Sequence, residues 1–525
     1  MNTTLQRLQS DFGSLLGAEL STNCGRELTI KVPPGDLPRV AQMLRDRTRT
    51  AFADLFGVDS YVGFQLHAMF ALDGEGFWLH VVADLVGERP QYPSLTPSSP
   101  AADWYEREIW DELGIEPLDH PALARLRLPA DWPAHIRPLW RGVGWHASVP
   151  HNGRASRPEL VPAPPGVVDY PLGPVRSGVV ESGHYTLRTV GEELVDARLQ
   201  PFYKHRGVEK MAEGLPLLHL PLVAERISGT SSFAHSLALC QALEAAAGAD
   251  IPSRARYLRT LLAEIERLYN HLGYQADLCQ ATGLVVGQAQ MDILRERVLR
   301  LNAAIAGHRY LFGMNVPGGL ARDLGRDTLR MVAKTIGEVR RELETLEPML
   351  LGSSSHLDRL EGTGILRPED ARAYGAVGPV GRASGVDRDL RRDHPYAAYA
   401  EVDFEVPVYK VGDAFCRAKV RLDEMRQSLS IIDQILDRVP DGPVRVQVTE
   451  LPVGASALSW VESPRGEGIH WLLVGGNGSL ARYRVRPASF ANAQVFPLAV
   501  PGHNILTDFP IIEQSFGLSF AGCDC

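Results

Sequence analysis

Apolar side chains recur at helical spacing along two long stretches of this chain, and these stretches decide its architecture. Tyr257, Leu258, Leu261, Leu262, Ile265, Leu268, Tyr269 and Leu272 return every three or four residues. That pattern puts them on one face of a helix, and such a face has to be buried. Phe415, Ala418, Leu422, Met425, Leu429, Ile432 and Leu436 step in the same way and form the seam of a second long helix. Both stripes read as core. A chain of 525 residues exceeds what one ordinary core serves, so two or more domains are expected.

Composition narrows the function classes. Hydrophobic residues make up 45% and charged residues 22% of the chain, the balance of a soluble globular protein. A net charge of -9 without a basic run argues against a nucleic-acid partner. No stretch approaches the roughly 18 consecutive apolar residues of a membrane span, so no transmembrane segment of its own is expected. Residues 1–11 lack the basic-then-apolar pattern of an export signal. Six cysteines with no C-x-x-C pair suit a reducing compartment, and a cytoplasmic location is the expectation. No G-x-G-x-x-G follows a β-like run, and no cysteine cluster could hold an iron–sulfur centre.

Residues 1–147 have the texture of an α+β domain. Residues 37–56 carry apolar residues at helical spacing. Residues 61–72 and 77–85 are β-like runs joined by the hairpin signal Asp73-Gly74-Glu75-Gly76. Residues 148–172 are rich in Pro, Gly and polar groups (Pro150, Pro158, Pro162, Pro164, Pro165, Gly166) and read as a linker. Residues 173–525 are mainly helical, with a loop-like stretch at 363–399. Three β-like runs at 444–449, 457–462 and 469–474 form a meander, with turns at Pro464-Arg465-Gly466 and Gly475-Gly476-Asn477-Gly478.

Specific motifs carry a resemblance. In the first part, Pro93-Ser94-Leu95-Thr96 is followed by Trp104-Tyr105-Glu106-Arg107-Glu108-Ile109-Trp110-Asp111-Glu112-Leu113-Gly114-Ile115. This resembles the C subunit of NADH–quinone oxidoreductase (complex I). In the second part stand Glu225-Arg226-Ile227-Ser228-Gly229-Thr230-Ser231-Ser232-Phe233-Ala234-His235-Ser236 and Glu462-Ser463-Pro464-Arg465-Gly466-Glu467. They resemble the large subunit of membrane-bound nickel–iron hydrogenases of the formate-hydrogenlyase type, and its relative, the complex I D subunit. The resemblance implies an α+β domain followed by a mainly α-helical, hydrogenase-large-subunit-like domain with small β-sheets.

It also implies where a site should lie. The cysteines that would bind nickel and iron fall on Ser228 and Ser231, and matching the chain's tail puts Ser519 and Gly522 on the second pair. A serine hydroxyl is a hard, weak donor where soft metals need thiolate, so no metal is expected in this chain. Cys523 and Cys525 have the wrong spacing to replace the missing pair. Glu181 matches a proton-relaying glutamate of hydrogenases, and His184 matches a quinone-side histidine of complex I, a residue type suited to proton exchange near neutral pH. Where complex I places a quinone-binding tyrosine, this chain has Gly229. Arg226 is expected in a cleft, holding an anion or a carboxylate such as Asp524. Ser228, Ser231 and His235 would line a degenerate metal or quinone cavity, or the serines would simply satisfy one another. His235, His271 and His308 are expected on helices as core histidines.

The function implied is that of a peripheral-arm subunit of a complex I-like, hydrogenase-4-related oxidoreductase on the cytoplasmic side of the inner membrane. Its partners would be an iron–sulfur small subunit of the complex I B type, a ferredoxin-like subunit and membrane-arm subunits. Quinone is a candidate acceptor, the iron–sulfur cluster would sit in the partner, and electrons from NADH would arrive through other subunits. The alternative is a catalytically empty scaffold holding the iron–sulfur subunit against the membrane arm.

Overall fold

The computed structural model describes residues 6, 10, 20–23, 26–60, 62–87, 89–150, 162–176 and 181–525. The amino-terminal part is built on a five-stranded sheet in the order β1-β2-β5-β4-β3. Its strands are β1 (Leu20–Asn23), β2 (Glu27–Lys31), β3 (Thr50–Ser60), β4 (Gly63–Leu72) and β5 (Phe77–Leu85). Only β2 and β5 run parallel. Asp73 to Gly76 turn β4 into β5, with Leu72 opposite Phe77, as the sequence predicts; Tyr61 lies outside the described residues. Helix Leu37–Arg45 buries Leu37, Val40, Ala41 and Leu44, and helix Asp103–Leu113 packs on β3.

The expected helix over 37–56 ends at Arg45, and its second half is strand β3. The helix closes at Asp46, whose N–H donates to Gln42 O; Arg49 then adopts a left-handed φ of 56°, and residues 50–60 pair with β4. Phe52, Leu55 and Phe56 fit a helical or a strand period equally well over so short a run. The expected linker also ends early. Residues 168–172 are strand β8, after the short pair β6 (Gln91–Pro93) and β7 (Glu116–Leu118). Strand β8 pairs with β9 (His184–Val190), which pairs with β10 (Glu193–Gln200). Residues 151–161 of that stretch lie outside the described residues.

The carboxy-terminal part is a helical bundle. Helices Ser253–Thr282, Val285–Ala306, Arg326–Gly352 and Ala414–Arg438 enclose its largest apolar core, to which both predicted stripes contribute. The stretch 363–399 holds short helices Pro368–Ala373, Gly378–Ala383 and Leu390–Asp393, the first two opened by proline near the N-terminus. His308 lies just past the end of helix Val285–Ala306 instead of on it.

Residues 444–449 form no strand. Their backbone instead serves the turn between the two-residue strands β11 (Asn315–Val316) and β12 (Gly319–Leu320), with Leu320 N donating to Val444 O at 2.9 Å. The meander is β13 (Ser456–Ser463), β14 (Gly466–Val474) and β15 (Leu480–Arg486). The Gly-rich turn therefore joins two strands and does not end the sheet.

Ion pairs are buried in this bundle. Arg382 donates to Glu424 at 3.1 Å and to Glu462 at 2.9 Å; Arg391 binds Asp389 and, at 3.2 Å, Glu264; His271 meets Glu424 at 2.7 Å. Each of these side chains is at most 4% exposed. A second network lies between the two parts, where Arg484 of β15 binds Asp54 of β3 (2.8 Å), Glu108 and Glu209. Around it, Phe56, Met69 and Trp78 share one apolar core with Leu390, Leu458 and Trp471.

Two expectations follow. Arg382→Met should lower the free energy of urea unfolding by about 3–5 kcal/mol, since it strands buried carboxylates; a loss below about 1 kcal/mol would contradict the network's role. A protease site engineered between Pro150 and Gly166 should give two fragments that co-elute on size exclusion, because the shared core holds them together.

Candidate functional site

The loop of Ser228 and Ser231 is held by the long helix beside it. Tyr269 Oη and Asn270 Nδ2 both donate to Thr230 O at 2.7 Å. Glu266 accepts from Phe233 N and Ala234 N at 2.8 and 2.9 Å, capping the open N–H groups that begin helix Ser232–Ala247. Burial pushes the Glu266 carboxyl up to about 8 despite these bonds. From the other side, Arg206 donates to Ile227 O (2.9 Å) and Ala521 O (2.7 Å), tying the loop to the chain's tail.

The tail completes the site. Ser519 caps helix Phe520–Asp524 by accepting from Gly522 N at 3.1 Å. Its Oγ lies 3.0 Å from Ser228 Oγ and donates to Glu181 Oε1 at 3.2 Å, while Ala521 N donates to Glu181 Oε2 at 3.1 Å. A Cβ on Gly522 would stand 3.4 Å from Ser228 Cβ. Ser228, Ser519, Gly522 and Glu181 therefore meet.

Ser231 faces a residue that the sequence reading placed in a turn and in a resemblance motif but gave no role in the site. Arg465, between β13 and β14, donates to Ser231 Oγ at 3.0 Å, to Asn270 Oδ1 at 3.2 Å and to Gly517 O at 2.9 Å. Burial lowers its pKa and the nearby Glu181 carboxylate opposes that. The signal in the sequence is the motif Glu462–Glu467 itself, but a charged residue in a tight Pro-Arg-Gly turn has solvent exposure as its default expectation.

Other expected residues sit elsewhere. Arg226 is not in a cleft: its side chain is 59% exposed, donates to Leu222 O at 2.6 Å and covers the Phe312 ring at 5.3 Å. Nor does it pair with Asp524, whose carboxylate accepts from Phe202 N and Lys204 N at 2.7 and 2.8 Å. The Arg226 side chain turns back over the short helix Leu220–Ala224 before it, away from the tail. Burial pushes Asp524 up to about 6. His184 begins β9 opposite Gln200, half-buried, with Thr186 Oγ1 3.4 Å away and its Nδ1 lacking a partner among the described residues. Gly183 before it packs on the Phe520 ring, so close that a Cβ would lie 2.7 Å from Cζ. His235 and His271 are buried on helices.

The donor set does not fit nickel or iron. Three hydroxyls and one glycine offer no thiolate. Cys523 and Cys525 are buried thiols, Cys525 pushed up to about 12 by burial and Cys523 well above its usual range. They stay protonated at neutral pH. What the arrangement can do is bind hydrogen-bonding groups through its hydroxyls and the Arg465 guanidinium.

The fold and this loop-and-tail junction define a hydrogenase-large-subunit-like scaffold joined to a smaller α+β part. Residues 30–145 match the family of the respiratory-chain NADH dehydrogenase 30 Kd subunit, and residues 283–457 and 448–525 that of the 49 Kd subunit. The chain is 34% identical to formate hydrogenlyase subunit 5 of Escherichia coli, over 95% of this chain and 89% of that protein. It is also 34% identical to hydrogenase-4 component G of the same organism, over 99% and 92%. The C/D subunit of the NADH-quinone oxidoreductase of Bacteroides fragilis is 30% identical over 83% and 88%. Among solved structures, a chain of the membrane-bound sulfane sulfur reductase, an archaeal respiratory membrane complex, superposes with a TM-score of 0.66. It is 30% identical, and the match covers 69% of this chain and 100% of that one. The chain belongs to this family of joined 30 Kd-type and 49 Kd-type subunits of oxidoreductase complexes. Among the described residues no helix is long and apolar enough to cross a membrane.

Protein purified from nickel-supplemented cells should carry no stoichiometric nickel by elemental analysis; one nickel per chain would contradict the donor-set argument. Ser519→Ala should weaken the tail helix by about 1 kcal/mol, read as faster amide exchange at Gly522.

Proposed function

We propose that this chain is a peripheral subunit of a complex I-like, hydrogenase-4-related oxidoreductase, held at the cytoplasmic face of a membrane and working without a nickel–iron centre. It would take electrons from a partner iron–sulfur subunit and help pass them to quinone or another acceptor, with coupling to ion translocation in the membrane arm. A ferredoxin-like subunit would complete the electron supply. Residues 1–147 and 173–525 would be its C-type and D-type units.

The observation that carries this reading is the meeting of Glu181, Ser228 and Ser519 beside Arg465. The loop and tail stay joined, and three hydroxyls and a glycine stand at the metal positions beside one carboxylate and one guanidinium. Glu181 can deliver a proton to a reduced acceptor, and Arg465 can stabilise the charge that builds there. The relatives named for quinone and for sulfane sulfur supply two acceptor classes.

A second reading has its own support. The Ser228–Ser519 hydrogen bond closes the two hydroxyls on each other, as an inert scaffold would. Glu181→Gln separates the two, because it keeps shape and removes the carboxylate. In the assembled membrane complex it should lower turnover ~10²-fold with assembly intact, the low end of general acid–base effects. Unchanged turnover would favour the scaffold.

A further inference from the structure

We infer that His470 and Tyr483 lock His235 in its Nε2–H tautomer, so that His235 and Arg465 together offer two hydrogen-bond donors to the acceptor atom that gains electrons. The identity of that acceptor rests on the reading above; the tautomer does not.

His235 stands one helical turn after Ser231 on helix Ser232–Ala247 and is 3% exposed. Its Nδ1 lies 3.2 Å from Nε2 of His470 on β14, and His470 Nδ1 lies 2.7 Å from Tyr483 Oη on β15. His470 and Tyr483 are fully buried. Burial pushes His235 down to about 3, with Arg465 and Arg206 nearby lowering it further, and holds His470 well below its usual range. Each ring is therefore neutral and carries one proton.

Two proton arrangements fit these distances. In the first, Tyr483 O–H donates to His470 Nδ1, His470 Nε2–H donates to His235 Nδ1, and His235 keeps its proton on Nε2. In the reverse, His235 Nδ1–H donates to His470 Nε2 and His470 Nδ1–H donates to the phenol oxygen. The phenol proton then has no acceptor, since Tyr483 Oη meets no other partner among the described residues. Each arrangement leaves one donor without a protein partner: the first leaves His235 Nε2–H, which is not sealed from solvent, and the reverse leaves the phenol of fully buried Tyr483, which carries its full desolvation cost, so the first arrangement prevails.

The His235 Nε2–H that results has no partner among the described residues, and His235 lies one helical turn from Ser231, whose Oγ accepts from Arg465 at 3.0 Å. A neutral N–H next to a guanidinium suits an atom acquiring negative charge, such as a quinone carbonyl oxygen or the terminal sulfur of a polysulfide. His470 and Tyr483 are positioning residues, and their counterpart is the fixed-tautomer histidine found wherever one ring nitrogen's bond dictates the other's role.

Nitrogen-15 spectra of the full chain with labelled histidine test the tautomer. His235 and His470 should both show Nε2–H and should not titrate from about pH 5 to pH 9, whereas an unperturbed imidazole titrates near about 6.5. Tyr483→Phe, which keeps the ring and its packing, should mix the tautomers of both. An Nδ1–H His235 in the unaltered chain, titration near 6.5, or spectra indifferent to Tyr483→Phe would each overturn the lock. In the assembled complex, Tyr483→Phe should cut turnover ~10-fold, a partial loss of one oxyanion-type donor. A soluble quinone and polysulfide are assayed separately, and the acceptor whose reduction falls is the one that the pair binds. Unaffected reduction of both, with the tautomers confirmed, overturns the donor role. A wild-type complex reducing neither overturns the acceptor reading and the donor role together, leaving only the lock.

Discussion

Three arginines and four carboxylates buried in the carboxy-terminal bundle fix where everything around the site can go. Arg267, Arg382 and Arg391 face Glu264, Asp389, Glu424 and Glu462 with almost no contact with water. One carboxylate is in excess, and burial together with Asp389 pushes Glu462 up to about 7, the expected response to an unbalanced negative charge. The network ties helix Ser253–Thr282 to the end of β13, because Arg267 donates to Ser463 O at 3.2 Å. Two residues on, the chain turns and presents Arg465. One residue before Arg267, Glu266 caps the helix that carries His235, and two and three residues after it Tyr269 and Asn270 grip Thr230. Both walls of the site therefore hang on the same helix, within one turn of the same ion pair.

The second buried network plays a comparable part between the two halves. Arg127, Arg482 and Arg484 bind Glu108, Glu112, Glu209 and Asp54, drawn from helix Asp103–Leu113, the short helix Val208–Ala212 and strand β3. Here too burial leaves one carboxyl, Glu112, pushed up to about 8. His205 reaches from Glu112 at 3.6 Å to the Asp524 carbonyl at 2.8 Å, so the tail that supplies Ser519 is anchored on this junction. The amino-terminal part is a structural support of the site as much as an appended module.

Much of this is legible in sequence where a period or a motif is long. The two apolar stripes and the Asp73–Gly76 hairpin become the predicted elements, and the loop of Ser228 and Ser231 meets the tail of Ser519 and Gly522. Short apolar runs mislead, since Phe52, Leu55 and Phe56 satisfy both periods, whereas the helix ends at Arg45 and they lie in β3. Arg226 and Arg465 exchange expected roles for a reason that no local pattern carries. Arg226 lies just past a short helix at the surface, whereas Arg465 sits in a turn that the charge network draws inward. The His235–His470–Tyr483 chain joins residues more than two hundred positions apart, and only the packing of β14 and β15 on the helix brings them together.

The central claim is that this site works on an electron acceptor with protein groups alone. Its most direct test is acceptor-reducing turnover of the intact membrane complex from cells grown with nickel rigorously excluded. Turnover should equal that of complex from nickel-replete cells. Turnover lost without nickel and restored by adding it back would contradict the account.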